Sequence, residues 1–205
     1  MAVENGYCTT AQLREHLGDG ASSLSVALLE RAINASSRAI EKHCRRRFWL
    51  DSSVATRTYM VDNRYSAYVD DIGTRTGLVV KVGTDGTTFP TTLTSGTDFI
   101  LEPRNADQFA SATFGAYAFW EIRTLGTRFL YPHCLRPTLQ VTARFGWSAI
   151  PPDVEEACIL KAASLFKRKD APFGVAGFGE FGAVRISRND PDVTALLADY
   201  VLPVA

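Results

Sequence analysis

Long apolar runs are missing from this chain. No stretch approaches the roughly 20 consecutive apolar residues of a membrane-spanning helix, and the N-terminus lacks the basic segment and apolar run of a signal peptide. The expectation is a soluble protein that is intracellular when made. Net charge is missing too: twenty-two basic and twenty-two acidic side chains cancel. No overall field therefore draws the molecule onto nucleic acid or an anionic membrane, and any contact with DNA has to be local. Cysteine is scarce and scattered, at Cys8, Cys44, Cys134 and Cys158, which argues against a disulfide framework. Cys44 and Cys158 fall in helical stretches, where thiols act as small hydrophobes. There is no phosphate-cradling Gly-Lys-Ser/Thr loop, no internal repeat and no long run of like charge. What is present is apolar material, 46% of 205 residues, enough to exclude general disorder and to build one domain, or a core with one subdomain.

The most strongly determined stretch is residues 141–170. Residues 138–145 alternate, with Leu139, Val141, Ala143 and Phe145 on one side and Thr138, Gln140, Thr142 and Arg144 on the other, as in a half-buried, edge-like strand. Gly146-Trp147 stops it. Pro151-Pro152 presets a first helical turn, Asp153, Glu155 and Glu156 suit the positive end of a helix dipole, and Lys167, Arg168 and Lys169 suit the other. Val154, Cys158, Ile159, Ala162, Ala163, Leu165 and Phe166 share one side of that helix. The polar side has an intruder, Leu160, with Ala157 near it.

Upstream, Thr9 and Gln12 have the spacing of a capping box, and Cys8 and Leu13 that of a hydrophobic staple, for a short helix to about Leu17. Ser22, Ser23 or Ser25 can cap a second helix over residues 24–46. Leu28, Leu29, Ala32, Ile33, Ala35, Ser36, Ala39 and Ile40 form its apolar half, and Glu41 with Arg45 an i,i+4 surface pair on the other. Residues 51–140 are rich in Thr, Gly and aromatics without helical period. Strands are expected at 57–61, 78–82, 99–101 and 118–123, with a tight turn at Asp85-Gly86. Asp190 and Pro191 open a last helix with Val193, Leu196, Leu197 and Tyr200 as its stripe, ended by Pro203. The fold class expected is α+β: a helical core from residues 1–50 and 141–205, with residues 51–140 as a strand-rich insertion packed on it.

Several patterns tempt a chemical reading. Gly177-Phe178-Gly179-Glu180-Phe181-Gly182 has the letters of a dinucleotide loop, but that loop needs a strand before and a helix after, whereas here a helix precedes and residues 183–186 are extended in character. A loop that orders against a neighbouring protein is the better account of residues 171–184, since glycine permits refolding and Phe173, Phe178 and Phe181 supply buried area. A mobile surface loop is the plainer alternative. His43-Cys44 and His133-Cys134 repeat a dipeptide of metal-ligand types, yet adjacent side chains diverge on helices and strands alike, so packed thiols beside partly buried imidazoles are expected. Asp70-Asp71 and Glu155-Glu156 read as solvated turn and dipole-complementing groups. No nucleophile elbow is present, and the expectation is no enzyme, no cofactor and no metal. Arg45-Arg46-Arg47 followed by Phe48-Trp49 can pair phosphate contacts with base stacking. The structural alternative is that the cations favour a helix C-terminus and the aromatics return the chain to the core.

The run Val141-Thr142-Ala143-Arg144-Phe145-Gly146-Trp147, then Ile150-Pro151 and an Ala-rich helix ending Lys167-Arg168-Lys169-Asp170, resembles the head-tail connector (adaptor) proteins of tailed bacteriophages. The segment ending Ile40-Glu41-Lys42-His43-Cys44-Arg45-Arg46-Arg47-Phe48 is similar to the long helix of that family, and Phe99-Ile100-Leu101-Glu102-Pro103-Arg104-Asn105 to a strand and corner of its longer members. The resemblance implies a structural virion protein of the neck, assembled in the host cytoplasm. Copies would form a dodecameric ring between the portal protein and a stopper or tail component, with genome DNA passing through the channel and no membrane involved. Such a ring requires two different complementary faces on each subunit. Candidates are Ala157 and Leu160 on the helix and Phe173, Phe178, Phe181 and Val184 on the loop. Arg45, Arg46 and Arg47 are the channel candidates. The other functions considered are a nucleic-acid-binding module using residues 45–49 and another neck or tail completion protein.

Overall fold

The computed structural model describes residues 2–18, 24–109, 116–126, 128–167, 175–176, 184–185 and 190–202, and for residues 109, 175, 176, 184 and 185 the backbone alone. Among these residues the chain is a mixed α+β protein, as expected, with five helices, two antiparallel sheets of seven strands in all and a further pair of two-residue strands. It divides into two compact units, Met1–Arg46 with Pro152–Ala205, and Arg47–Pro151.

In the first unit, α1 (Thr10–Leu17) begins with the capping box read from sequence. Thr9 Oγ1 accepts the Gln12 N–H at 3.2 Å and Gln12 Oε1 accepts the Thr9 N–H at 2.8 Å, while Cys8 and Leu13 are buried as the staple. Helix α2 (Val26–Cys44) starts after Ser25, whose side chain makes no capping bond, and ends where Arg45 turns left-handed at φ 57°. Its buried stripe differs in part from the expectation: Leu28 and Ala35 are exposed and Ser37 is buried. The reason is a strap. Residues 2–8 lie along α2, with Glu4 N donating to Asn34 Oδ1, Arg38 Nη2 to the Asn5 carbonyl and Tyr7 Oη to Glu41 Oε1. Ser37 Oγ accepts from Tyr7 N and donates to the Ile33 carbonyl, so its hydroxyl can be buried without loss.

Helix α4 (Pro152–Lys167) buries Val154, Ala157, Cys158, Ile159, Ala162, Ala163 and Phe166 and packs on α1, α2 and α5 (Pro191–Leu197). The Gln12 amide donates to Glu155, fastening α1 to it. Asp190 caps α5 by accepting from Asp192 N at 3.1 Å, Val193 and Leu197 are buried, and Tyr200 Oη, in the following 3₁₀ turn Ala198–Tyr200, donates to Asp153 at 3.1 Å. Two short strands, β8 (Val175–Ala176) and β9 (Val184–Arg185), pair antiparallel.

The second unit is two sheets around one apolar core. β1 (Ala55–Tyr59), β7 (Leu139–Ala143), β3 (Val79–Val82) and β4 (Thr91–Leu93) lie in that order in one sheet. β2 (Ser66–Ile72), β6 (Phe119–Thr124) and β5 (Phe99–Glu102) make the other, and a short helix, α3 (Ala106–Phe109), follows β5. The strand read as edge-like, β7, is interior: Thr142 pairs with Thr56 on one side and Val79 on the other. Its polar residues suggested an edge, but they face out of the sheet plane and leave both backbone edges available for pairing. Strands β2 and β4 were not anticipated. Asp70-Asp71 lies within β2 and not in a turn, and neighbours on a strand face opposite sides. Asp70 is exposed and bonds Arg57 Nη1 at 2.6 Å and Tyr59 Oη at 2.9 Å, while Asp71 is buried and accepts from Trp147 Nε1 at 3.0 Å. The turn at Asp85-Gly86 forms inside a longer loop, residues 83–90, where Asp85 Oδ1 accepts from Thr87 N and Thr88 N.

The segment after β7 joins the sheets. The Phe145 residue bridges Ile72, Gly146 N donates to the Asp71 carbonyl at 2.7 Å, and Gly73 N donates to the Arg144 carbonyl at 3.1 Å. Phe145 is fully buried, with the Arg57 guanidinium 4.0 Å over its ring, and Phe48 packs on Trp147 at 5.3 Å between centroids. Gly146 has φ 109°, and a Cβ there would sit 1.9 Å from the Trp49 carbonyl oxygen. Gly146→Ala is therefore expected to cost about 3 kcal/mol or more. Gly96, also at positive φ (82°) but with open space around it, should lose only about 1 kcal/mol as Ala. Urea unfolding of the two variants followed by tryptophan fluorescence checks the difference.

Candidate assembly surfaces

The inner side of the β1-β7-β3-β4 sheet is sealed by Val80, Val82, Leu93, Leu139, Val141 and Ala143 in the core. The opposite side follows from the same register. Thr56, Thr142 and Val79 form one row across it, and Thr58, Gln140, Lys81 and Thr92 the next. Thr56 and Thr142 join hydroxyls at 2.7 Å. Val54 and Met60, beyond the two ends of β1, are exposed as well. Seven positions thus carry a single charge, Lys81, on an open face built of β-branched and amide side chains. Solvated sheet faces usually carry interspersed charges of both signs, and a face without them is suited to lying against protein. The signal was available in sequence, because Val54, Thr56, Thr58 and Met60 alternate with Ala55, Arg57 and Tyr59; pairing was needed to show that four strands contribute.

A second surface surrounds a cavity of about 290 Å³ lined by residues including Arg64, Leu93, Arg128, Phe129, Leu130 and Tyr131. Arg64 stacks on Phe129 at 4.7 Å and Tyr65 meets the same ring edge-on at 5.6 Å. Arg128 is held by Asp98 at 3.1 Å, and Tyr65 and Tyr131 are about half exposed. Aromatic and arginine side chains held rigid at a surface are the composition of protein-protein contacts.

Of the residues singled out from sequence, Leu160 is partly exposed on α4 and keeps its place as a contact candidate. Ala157 does not, since it is completely buried. Three residues from both Leu160 and Val154, it lies about 60° from each round the helix, and its small side chain falls to the buried side. Phe173, Phe178 and Phe181 lie outside the described residues, as do Gly177, Gly179 and Gly182. Val184 is described as backbone in β9, so the segment 177–183 is followed by a strand and not by the helix that a dinucleotide loop requires. The arginines separate in character. Arg45 is exposed, Arg46 is buried, and Arg47 pairs with Asp51 at 3.2 Å and lies 4.3 Å over the Trp49 ring. Phe48 is fully buried and cannot stack on a base. Cys44 is buried, His43 and Cys134 are exposed, and His133 Nδ1 accepts from Leu135 N. Among the described residues no group of three or more His, Cys, Asp or Glu is placed to hold a metal ion, and no helix is long and apolar enough to cross a membrane.

No protein-family model matches this chain, and no curated protein does. Solved structures do. A chain from the neck of an empty gene transfer agent particle, computed with C6 symmetry, matches with a TM-score of 0.55 and 21% identity, over 100% of this chain and 95% of that one. A chain from the virion of the native gene transfer agent particle gives 0.53 and 19%, over 100% and 95%. One from the neck of the native particle, computed with C12 symmetry, gives 0.52 and 18%, over 100% and 94%. At these identities the likeness is one of fold, and it runs the length of the chain.

Burial pushes the Cys44 thiol up to about 11, with Arg46 opposing the shift. A thiol whose folded value exceeds its unfolded one stabilises the fold fully below the unfolded value, 9.0, and that contribution is lost as pH rises through the folded value. Thermal melts between pH 8 and pH 11, roughly the span set by linkage, should show wild type losing more stability than Cys44→Ala. Parallel losses in the two proteins would contradict the assignment.

Proposed function

We propose that this chain is a structural subunit of the neck of a phage-like particle, acting as a head-to-tail connector (adaptor) and not as an enzyme. The observation that carries the reading is the whole-length fold likeness to chains of gene transfer agent necks. Twelve copies in a ring would satisfy both symmetries named for those necks, since a twelve-fold ring contains six-fold symmetry. In this reading the ring is assembled in the host cytoplasm, docks on the portal protein, receives a stopper or tail component on its other side and passes genome DNA through its channel.

The work of such a subunit is complementarity. A closed ring built head to tail needs two unlike faces per copy, and the threonine-rich sheet face with its single lysine and the arginine-aromatic surface around Phe129 are unlike in chemistry. Leu160 is a third contact candidate on the helical unit, and the loop carrying Phe173, Phe178, Phe181 and Val184 is proposed as an arm that orders on assembly. Within the triplet, exposed Arg45 suits a channel position better than buried Arg46 or paired Arg47. The nucleic-acid-module reading is weakened by the same geometry, because Phe48 and Arg46 face inward. A role as another neck or tail completion protein shares the support of the fold likeness, but its docking partner would differ.

Two measurements test the proposal. Mass photometry of the purified protein with its cognate portal should show a portal-bound ring, and a chain that stays monomeric at every concentration with portal present would overturn the reading. Val79→Glu or Leu160→Glu should leave circular dichroism unchanged while lowering ring yield at least about tenfold, since burying one unpaired carboxylate costs several kcal/mol. Unchanged yield in both variants would remove these two residues from the interface and leave the ring itself standing.

A further inference from the structure

Two of the four cysteines lie together. Cys8, at the end of the strap, and Cys158, in the middle of α4, are 150 residues apart in sequence, and their Sγ atoms are 3.5 Å apart. Both are buried. Cys158 Sγ also lies 3.5 Å from Ser37 Oγ, whose own proton goes to the Ile33 carbonyl. The sulfurs thus form a proton-donating chain: Cys8 S–H to Cys158, Cys158 S–H to Ser37, Ser37 O–H to the helix carbonyl. The Cys8 S–H holds Cys158 below the usual thiol range against the opposing effect of burial, while Cys8 itself is pushed up.

A disulfide needs sulfurs about 2 Å apart, so from 3.5 Å the two side chains have roughly 1.5 Å to close. We propose that Cys8 and Cys158 are a reversible cross-linking site whose co-substrate is a low-molecular-weight disulfide, and whose oxidation fixes the N-terminal strap to α4. The exchange balances. A thiolate of the pair attacks one sulfur of the small disulfide, whose S–S bond breaks and releases one small thiolate. The second thiolate of the pair attacks the mixed disulfide, forming the Cys8–Cys158 bond and releasing the second. The pair loses two protons and two electrons, and the small disulfide gains both. Entry requires the strap to lift, because both thiols are covered when it is seated. Hydrogen bonds, with a backbone group as one partner in several, and the buried Tyr7 ring hold it, so lifting it is a local unfolding of this segment that withdraws Tyr7 from the core. The proposal does not depend on the ring.

The test uses the full folded chain incubated with oxidised glutathione, quenched with an alkylating reagent and mapped by peptide mass spectrometry. The expected result is a linked peptide pair containing Cys8 and Cys158, reversed by reductant, with the apparent melting temperature several degrees higher in the oxidised form. Exposed Cys134 is the internal control, since it should take up glutathione. Cys8→Ser and Cys158→Ser should each abolish the linked pair and the thermal shift together. Glutathione on Cys134 with Cys8 and Cys158 both still alkylated would overturn the proposal, and so would a linked pair that leaves the melting temperature unchanged.

Discussion

Everything in the strand-rich unit depends on the corner at residues 144–148. An antiparallel sheet with one apolar face has to cover it, and here two sheets cover each other. They can do so because the chain leaving β7 crosses to β2, bridging Ile72 through Phe145 and binding the Asp71 carbonyl through Gly146. The Trp147 indole then donates to the Asp71 carboxylate. A buried carboxylate without partners would be costly, and the indole N–H is one of the groups that make Asp71 tolerable inside. Only glycine fits at the centre, where the Trp49 carbonyl occupies the place of a side chain. Sequence chemistry and topology meet at one residue.

Sealing the inner faces leaves the outer ones to do the work on which the proposed function rests. The outer side of the β1-β7-β3-β4 sheet offers threonine, glutamine, valine and a lone lysine. Such a face costs less to dehydrate than one of interspersed charges, and Lys81 is the single charge it presents to an identical neighbour. The arginine-aromatic surface around Phe129 has the opposite character, with cations already stacked and oriented. A zero net charge fits a subunit meant to lie close to copies of itself better than one designed to find DNA by long-range attraction. Assembly in this account is a matter of surfaces held rigid by a core.

Local rules were the most legible part of the fold. The capping box at Thr9 and Gln12, the cap at Asp190 and the start of α4 at the Pro151-Pro152 pair are short-range features, and each stands where the residues indicated. The mixed α+β class followed from the change between stretches of helical period and a stretch rich in Thr, Gly and aromatics without one. What resisted reading was long-range. Ser37 belongs to the buried side of α2 only because a strap 30 residues away donates to it. Asp71 looked like a turn residue because its partner, Trp147, is 76 residues on. The interior position of β7 and the four-strand extent of the threonine face are statements about pairing, which alternation along one strand does not contain. The arginine triplet failed as a patch for a similar reason: consecutive residues at a helix end diverge, and burial sorts them one at a time. The Cys8–Cys158 contact could not be foreseen from widely spaced cysteines at all.

The claim at the centre is that the surface of this protein is finished by identical copies arranged in a ring. Rotational symmetry in averaged end-on electron cryomicroscopy images of the wild-type protein bound to its portal tests it most directly. Twelve-fold symmetry, with the threonine face buried between adjacent subunits, is the predicted result. A single copy bound to the portal, or a ring in which that face looks onto solvent, would contradict the account.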